Sequence, residues 1–228
     1  MLHKELSNEP VKDYKPNSKE RISLLEEYDR QSNEKIEIPI IIGGEKIYTN
    51  ITSTCIAPHN HNQILATYHK ADNETVNKAI KNSLETWKTW SNTPLEERTS
   101  IFRKAGDLLA NKWRDKINAA TMLNQSKNVY QAEIDSACEL IDFFNFNASF
   151  AENITNKQDL ISPTGMKNYL EYRSLEGFIF AIAPFNFTSI AGNLPAAPAL
   201  MGNVSLWKPA SSAILACYYL MEMFQEAG

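Results

Sequence analysis

Cysteine is scarce in this sequence, and its spacing excludes the sites that cysteine pairs commonly build. The 228 residues include three cysteines, Cys55, Cys138 and Cys217, with no CxxC spacing among them. An odd, scattered set argues against a disulfide framework and favours a reducing compartment. His59 and His61 are close in the chain but have no third ligand at a known metal-site spacing, so we predict no metal site.

Charge of one sign and long apolar runs are also lacking. Lys and Arg number 23 against 27 Asp and Glu, a net charge of −4, which gives no basic surface for nucleic acid. No apolar run approaches the roughly 18–20 residues of a membrane helix, so we expect no membrane partner. Residues 1–21 lack the apolar centre of a signal peptide and contain acids, which mitochondrial presequences avoid. The sequence therefore predicts a cytoplasmic protein, or a protein of the mitochondrial matrix if the source is eukaryotic.

Glycine is uncommon, and none of the eight glycines belongs to a GxGxxG or GxxxxGK[ST] loop that would cradle phosphate. What the sequence does have is an ordinary globular composition, with 43% apolar and 22% charged residues. A chain of 228 residues is long enough for one large domain with a sizeable core.

The order of segments along the chain predicts an α/β fold. Residues 1–35 are polar and form an arm with one short helix around residues 19–30. Residues 36–155 contain two strand pairs, the first turning at the Gly-Gly of "IPIIIGGEKI", followed by three long helices. Residues 166–228 alternate strand-like and helix-like segments, which predicts a bridging strand at "NYLEYRSLE" and then one βαβ unit of a parallel sheet.

One of the predicted helices begins with a recognisable capping pattern. Thr93, Pro94 and Glu96 occupy the spacing of an N-cap, a proline at the first helical position and the glutamate of a capping box. We therefore expect the Thr93 side chain to cap this helix.

Two polar residues follow the two buried strands of the βαβ unit. Asn186 stands between Phe185 and Phe187 after "GFIFAIAP", and Lys208 ends "NVSLWK". Ligands of open α/β sheets bind at the carboxyl ends of the strands, so we expect both residues to face a ligand. An amide there can donate an N–H to a developing oxyanion, and a lysine can reach a ribose hydroxyl or a phosphate. The alternatives are a turn-forming asparagine and a solvated lysine.

Two further residues are open to more than one interpretation. Glu139 lies near the apolar stripe of a helix and points either to solvent or into a pocket. Cys217 lies within "AILACYYLM", where we expect a small buried hydrophobic residue.

The motif "PFNFT" followed by "GNVSLWKPA" resembles the aldehyde dehydrogenase superfamily, in which proline–aromatic–Asn–aromatic ends one strand of the cofactor domain and Lys-Pro ends the next. From about residue 36 onward, "IPIIIGGEKI", "QAEIDSACELIDFFNFNA", "YRSLEGFIFAIAPFNFTSIAGN" and "APALMGNVSLWKP" are similar to one branch, the 1-pyrroline-5-carboxylate (glutamate γ-semialdehyde) dehydrogenases of proline degradation. The resemblance implies an aldehyde dehydrogenase-like α/β fold with a partial Rossmann-type parallel sheet. Residues 36–228 would then be the N-terminal part of an NAD-binding domain that is incomplete at its C-terminus.

The resemblance also implies an NAD-dependent oxidoreductase that takes a small-molecule aldehyde substrate and forms a homo-oligomer when full length. In the family, a cysteine thiolate attacks the aldehyde, hydride leaves to the nicotinamide and a glutamate activates water. The remaining family roles fall on the following residues of this chain: Asn186 as oxyanion donor, Phe187 and Glu139 as walls of the aldehyde pocket, Ala183, Pro184 and Phe185 as contacts to the dinucleotide, and Lys208 at the adenosine ribose.

The sequence departs from the family pattern in two places. None of its cysteines matches the motif of the nucleophile, so we expect the chain to be the N-terminal part of the enzyme and inactive alone. Ser211 stands where many members have a glutamate that grips the ribose hydroxyls and repels a 2′-phosphate, so no strict preference for NAD over NADP is predicted. Two alternatives stay open: an aldehyde dehydrogenase with a different aldehyde substrate, and a truncated, non-catalytic module of the same fold.

Overall fold

The computed structural model describes residues 6–228, so residues 1–5 of the predicted arm lie outside the described part of the chain. The arm contains a helix, as predicted, and one helix that the sequence pattern did not predict lies between the second and third long helices. The helices are α1 Lys19–Asn33, α2 Asn73–Trp90, α3 Leu95–Ala110, α4 Arg114–Gln125, α5 Val129–Ala132, α6 Glu139–Asn156, α7 Thr188–Leu200 and α8 Ile214–Ala227.

The strands of the described residues form three small sheets. They are β1 Ile36–Ile38, β2 Ile40–Ile42, β3 Glu45–Ile47, β4 Thr52–Ala57, β5 Asn60–His69, β6 Ile179–Ile182 and β7 Ser205–Lys208. One sheet has the order β1-β5-β4, β2 and β3 form a hairpin, and β6 and β7 form a parallel pair connected by α7. Helices and a parallel βαβ unit together confirm the predicted α/β class.

The predicted turn at Gly43 and Gly44 is confirmed. Both glycines have positive φ, 58° and 82°, as a two-residue type I′ hairpin requires, and β2 pairs antiparallel with β3 across them. The strand expected before this turn is divided at Pro39, because proline has no N–H to contribute to a ladder. The part before Pro39, β1, pairs in parallel with β5 instead.

The third predicted long helix contains an interruption that its sequence pattern did not indicate. α5 leads into a π-helical turn, Glu133–Cys138, and α6 continues directly from it. A π turn contains one more residue than an α turn, so the side chains beyond it are rotated relative to those of an unbroken helix. Turns of this kind are frequent at functional sites.

The predicted capping box at Thr93 is wrong. α3 begins at Leu95, its N-cap is Pro94, and no side chain caps it. The Thr93 hydroxyl instead donates to the carbonyl of Thr89 at 3.3 Å, while Arg98 donates to the Thr93 carbonyl. A threonine can bond backward to the carbonyl four residues earlier, and here that bond has displaced the cap.

The predicted bridging strand at residues 168–176 is also absent from the structure, where this stretch is extended chain without strand pairing. The Gln158 side chain takes the place of a neighbouring strand. Its Oε1 accepts from the Leu170 amide at 2.7 Å, and its Nε2 donates to the Leu170 carbonyl at 3.2 Å. A strand requires a partner strand, and none of the described strands lies beside this stretch.

The hydrophobic core lies among α3, α4, α6 and α8 and supports α7 from one side. Gly192 makes close packing of α7 possible, because a Cβ at this position would lie 2.9 Å from Leu140 Cδ2 and 3.1 Å from Leu220 Cδ1. The first turns of α7 are therefore packed closely against α6 and α8. None of the helices in residues 6–228 is long and apolar enough to cross a membrane.

Candidate functional site

The parallel pair β6–β7 brings the two sequence-predicted polar residues to one edge of a sheet. Ile182 at the end of β6 lies opposite Lys208 at the end of β7. The Ala183 amide then donates to the Lys208 carbonyl at 3.0 Å, which extends the pairing by one residue. Ala183 is buried in a small cluster with Ala191 and Cys217. The loop that contains Asn186 therefore leaves the sheet at the same edge as Lys208.

The Lys208 side chain is exposed, and among residues 6–228 no carboxylate forms an ion pair with it. Lys208 also lines an open groove of about 930 Å³. We call this the β7 groove; it is bordered by the β2–β3 hairpin, α2, β7 and α8, with Ala79, Trp207 and Tyr218 among its lining residues. Residues 183–187, the loop of Asn186, are not among the residues that line the groove.

The loop after Ala183 presents the side chains of residues 185–187 outward. Asn186 is exposed, and Phe185 and Phe187 are 68% and 40% exposed. Within the described residues, the rings of Phe185 and Phe187 therefore do not exclude water from the Asn186 amide. Pro184, which lies between Ala183 and Phe185 in the chain, is half-buried.

A lysine that sequence reasoning did not select holds this loop. Lys127 Nζ donates to the Asn186 carbonyl at 2.6 Å. The same ammonium lies 4.6 Å from the centre of the Phe187 ring and donates to Asp135 Oδ2 at 2.6 Å. Lys127 thus contacts two consecutive loop residues and one carboxylate of the π turn.

The same carboxylate caps the helix that follows the loop. Asp135 accepts from the Thr188 amide at 3.1 Å, from the Ser189 amide at 3.3 Å and from the Ser189 hydroxyl at 2.9 Å. The N-terminal N–H groups of a helix have no partners within the helix, and a carboxylate there also interacts favourably with the helix dipole. The residue before α7, Phe187, makes no side-chain cap. Asp135, a residue of the π turn, therefore provides the N-terminal cap of α7 that Phe187 does not provide.

Glu139 points to the same place. It is half-buried, and its Oε2 lies 2.9 Å from the Ser189 hydroxyl, whose single proton it shares with Asp135. Of the two orientations open from the sequence, the structure shows the inward one, toward the start of α7. The spacing of Asp135 and Glu139, four residues apart in a largely apolar helix, was the available signal for a shared acidic face.

The cysteines of the chain are buried and free. Burial raises the pKa of the Cys217 thiol to about 12, and burial together with the Glu133 charge raises that of Cys138 to about 12. Burial also raises the pKa of Cys55. A thiol of this kind carries almost no thiolate at neutral pH, so none of the three is an activated nucleophile. No group of His, Cys, Asp and Glu within residues 6–228 could hold a metal ion.

Residues 48–228 match the model of the aldehyde dehydrogenase family. The chain is 44% identical over 224 residues to the probable delta-1-pyrroline-5-carboxylate dehydrogenase of Schizosaccharomyces pombe, covering 98% of this chain and 41% of that protein. It is 44% identical over 223 residues to the mitochondrial delta-1-pyrroline-5-carboxylate dehydrogenase of Homo sapiens, covering 98% of this chain and 39% of that protein. The chain thus spans about two fifths of the length of these curated relatives.

Two solved structures of delta-1-pyrroline-5-carboxylate dehydrogenases are similar in fold to this chain. The delta-pyrroline-5-carboxylate dehydrogenase of Mycobacterium tuberculosis bound with NAD has a TM-score of 0.95 and 47% identity, with 97% of this chain and 42% of that chain covered. The 1-pyrroline-5-carboxylate dehydrogenase of Thermus with bound NAD has a TM-score of 0.91 and 27% identity, with 100% of this chain and 44% of that chain covered. The predicted aldehyde dehydrogenase-like fold is confirmed.

Proposed function

Since the chain belongs to the aldehyde dehydrogenase family, we propose that it is part of an NAD-dependent enzyme that oxidises L-glutamate γ-semialdehyde to L-glutamate. The semialdehyde is the open form of 1-pyrroline-5-carboxylate, and the reaction belongs to proline degradation. The observation that carries the proposal is the placement of an exposed amide, Asn186, and an exposed ammonium, Lys208, at one carboxyl edge of a parallel strand pair. The names of the two curated relatives support the choice of substrate.

The residues at this edge fit a dinucleotide. An ammonium that no described carboxylate neutralises suits a ribose–phosphate moiety, and the exposed Phe185 ring offers an apolar face to a planar group. NAD would supply the acceptor for the hydride that leaves the substrate. Lys208, Ala183, Pro184 and Phe185 would hold it. Ser211 brings no negative charge that would repel a 2′-phosphate, so NADP stays a possible cofactor.

Asn186 would act on the aldehyde oxygen. An amide N–H directed at a carbonyl stabilises the negative charge that develops when a nucleophile adds, and it does so most effectively where water is excluded. Phe187 and Glu139 would border the aldehyde on the side of α6. Because Cys55, Cys138 and Cys217 are buried thiols, the proposal assigns the nucleophile's role to none of them.

We also propose a cellular compartment and an oligomeric state for the enzyme. The human and Dictyostelium discoideum relatives have mitochondrial in their names. A chain with three free, buried cysteines suits a reducing compartment, either the cytoplasm or the mitochondrial matrix. We further expect a homo-oligomer, which light scattering after size-exclusion chromatography would measure.

The test uses the longest natural gene product that contains this chain. NADH formation is measured with L-glutamate γ-semialdehyde, with succinic semialdehyde and with propionaldehyde, each with NAD and with NADP. We expect the highest kcat/KM for glutamate γ-semialdehyde with NAD. A higher kcat/KM for another aldehyde would show that the proposed substrate is wrong. If neither NAD nor NADP is reduced with any of the three aldehydes, the result favours the non-catalytic alternative.

A further inference from the structure

The loop that presents Asn186 has little structure of its own. Its side chains from Phe185 to Phe187 are exposed, and its first backbone bond, from Ala183 to Lys208, lies at the far end from Asn186. An exposed loop without further ties would sample many conformations, and an oxyanion donor must be held in place to be effective. The hydrogen bond from Lys127 Nζ to the Asn186 carbonyl holds the backbone of the residue that bears the side-chain amide.

Lys127 is itself held in a well-defined position. It lies between Ser126, the C-cap of α4, which has the left-handed conformation (φ 54°, ψ 37°), and Asn128, the N-cap of α5. Asn128 and Gln131 form a reciprocal capping box. The backbone is therefore constrained on both sides of Lys127, and its side chain is only 16% exposed.

Asp135 completes the arrangement. Its carboxylate is 6% exposed, binds the Lys127 ammonium, and accepts from the Thr188 and Ser189 amides at the start of α7. One carboxylate therefore links the lysine on one side of Asn186 to the helix on the other side. The loop is held between two charged groups whose positions are fixed by α5 and the π turn.

We propose that Lys127 and Asp135 are positioning residues that hold the Asn186 amide in the orientation needed for catalysis. The inference rests on the proposed function for its kinetic part, since the amide acts only if the chain serves an aldehyde-oxidising enzyme. Its structural part is independent of that function. Lys127 and Asp135 do not contact the aldehyde. They act by holding the backbone of residues 186–189.

The kinetic test compares Lys127→Met, Lys127→Arg and Asp135→Asn in the gene product that contains this chain. Lys127→Met keeps the length of the side chain and removes the charge. We expect it to lower kcat by about 10²-fold, the effect of a reacting group displaced by about 1 Å, with the KM for NAD little changed. Lys127→Arg keeps a cation that can reach both partners and should restore most of the activity. Asp135→Asn should give an intermediate loss.

The matched control is Lys116→Met. Lys116 is another partly buried lysine of the same region, and it pairs with Glu222 at 3.3 Å, away from the loop. It should leave kcat unchanged. In an Asn186→Ala background, Lys127→Met should cause no further loss, because residues that act as one unit are not additive. An equal loss in both backgrounds would overturn the proposal.

A second measurement separates failure of this inference from failure of the proposed function. Amide hydrogen exchange is followed at Thr188 and Ser189 in the wild type and in each variant. Faster exchange at these amides in Lys127→Met and Asp135→Asn, but not in Lys116→Met, is expected even if the wild type oxidises no aldehyde. Should Lys127→Met fail to fold, Lys127→Gln is measured in its place. Unchanged exchange in a folded Lys127 variant would show that the lysine does not hold the loop.

Discussion

Arg114 and Glu133 form an ion pair in which neither side chain reaches solvent: their side chains are 1% and 0% exposed. Glu133 also accepts from the Tyr14 hydroxyl at 2.8 Å and from the Asn118 amide at 2.9 Å. Arg114 donates to the carbonyl of Pro10 at 3.0 Å. The pair therefore connects the N-terminal arm to α4 and to the π turn, the same turn whose Asp135 caps α7.

The first prediction concerns the removal of one partner of this pair. Arg114→Met should lower the free energy of unfolding by about 3–5 kcal/mol, because it leaves the Glu133 carboxylate buried without its counter-charge. Urea denaturation followed by circular dichroism measures the change. The control is Arg103→Met, since Arg103 pairs with Glu152 while 39% exposed, and a surface pair contributes about 0–1 kcal/mol. Equal effects of the two substitutions would contradict the prediction.

The second prediction is the pH dependence that Glu133 gives to stability. Burial raises the pKa of this carboxyl, but the hydrogen bonds and charge of Arg114, with the Lys12 amide and Tyr14, outweigh burial and lower it. A lowered pKa in the folded state contributes stability above the unfolded value of about 4.3, and that stability is lost as the pH falls through the folded value. Glu133→Gln should therefore flatten the fall in urea midpoint below about pH 4.3. An unchanged acid limb would rule out this contribution.

The third prediction tests the oxyanion role of Asn186. Asn186→Ala in the gene product that contains this chain should lower kcat by about 10²–10³-fold, since one donor to the developing oxyanion is lost. The KM for NAD should stay nearly the same. Asn92→Ala is the control, because Asn92 is an exposed amide whose side chain donates to the nearby Lys88 carbonyl and Ser91 hydroxyl at the end of α2. Near-normal turnover of the Asn186 variant would leave this residue as a turn former.

The fourth prediction tests Lys208 as a cofactor contact. Lys208→Ala should raise the KM for NAD and change the aldehyde KM little, because the ammonium would contact the adenosine end of the dinucleotide and not the reacting carbonyl. Steady-state kinetics with each substrate varied in turn separates the two effects. Lys81→Ala, at an exposed lysine of α2, should alter neither KM. An NAD titration identical to that of the wild type would remove Lys208 from the site.

The structural features that were predicted correctly from the sequence depend on residues that are near one another in the chain. The turn at Gly43 and Gly44 requires positive φ at two consecutive positions, which the residue types indicate directly. The βαβ unit follows from two apolar runs separated by a helix, and its parallel pairing places Asn186 and Lys208 at one edge without any side-chain information. The family resemblance then assigned roles to residues at that edge.

What the sequence did not predict depends on contacts between distant residues. Lys127 and the Asn186 carbonyl are 59 positions apart, and Asp135 and the Thr188 amide are 53 apart. No periodic pattern identifies such partners. The prediction of a bridging strand was wrong for a related reason. Residues 168–176 include residue types that favour strands, but a strand forms only when a second strand pairs with it. In the described structure, the Gln158 side chain bonds to the Leu170 backbone where a paired strand would lie.

The last prediction concerns the apolar surface that the 228-residue chain presents. On β6, Phe180 and Ile182 are 55% and 59% exposed, and Phe180 also lines the β7 groove. An exposed large side chain forfeits about 1.5–3 kcal/mol relative to burial, a large part of a typical total stability of about 5–15 kcal/mol.

The chain made alone should therefore bind an environment-sensitive dye such as ANS, aggregate, and unfold over a broad temperature range. Phe180→Ser combined with Ile182→Thr should reduce dye fluorescence, whereas Ile161→Thr should not, because Ile161, which is 92% exposed, lies outside the helices and strands and does not line the β7 groove. A monomer with a sharp cooperative melt and no dye fluorescence would show that this surface is stable in water, and that the apolar side chains of β6 need no cover.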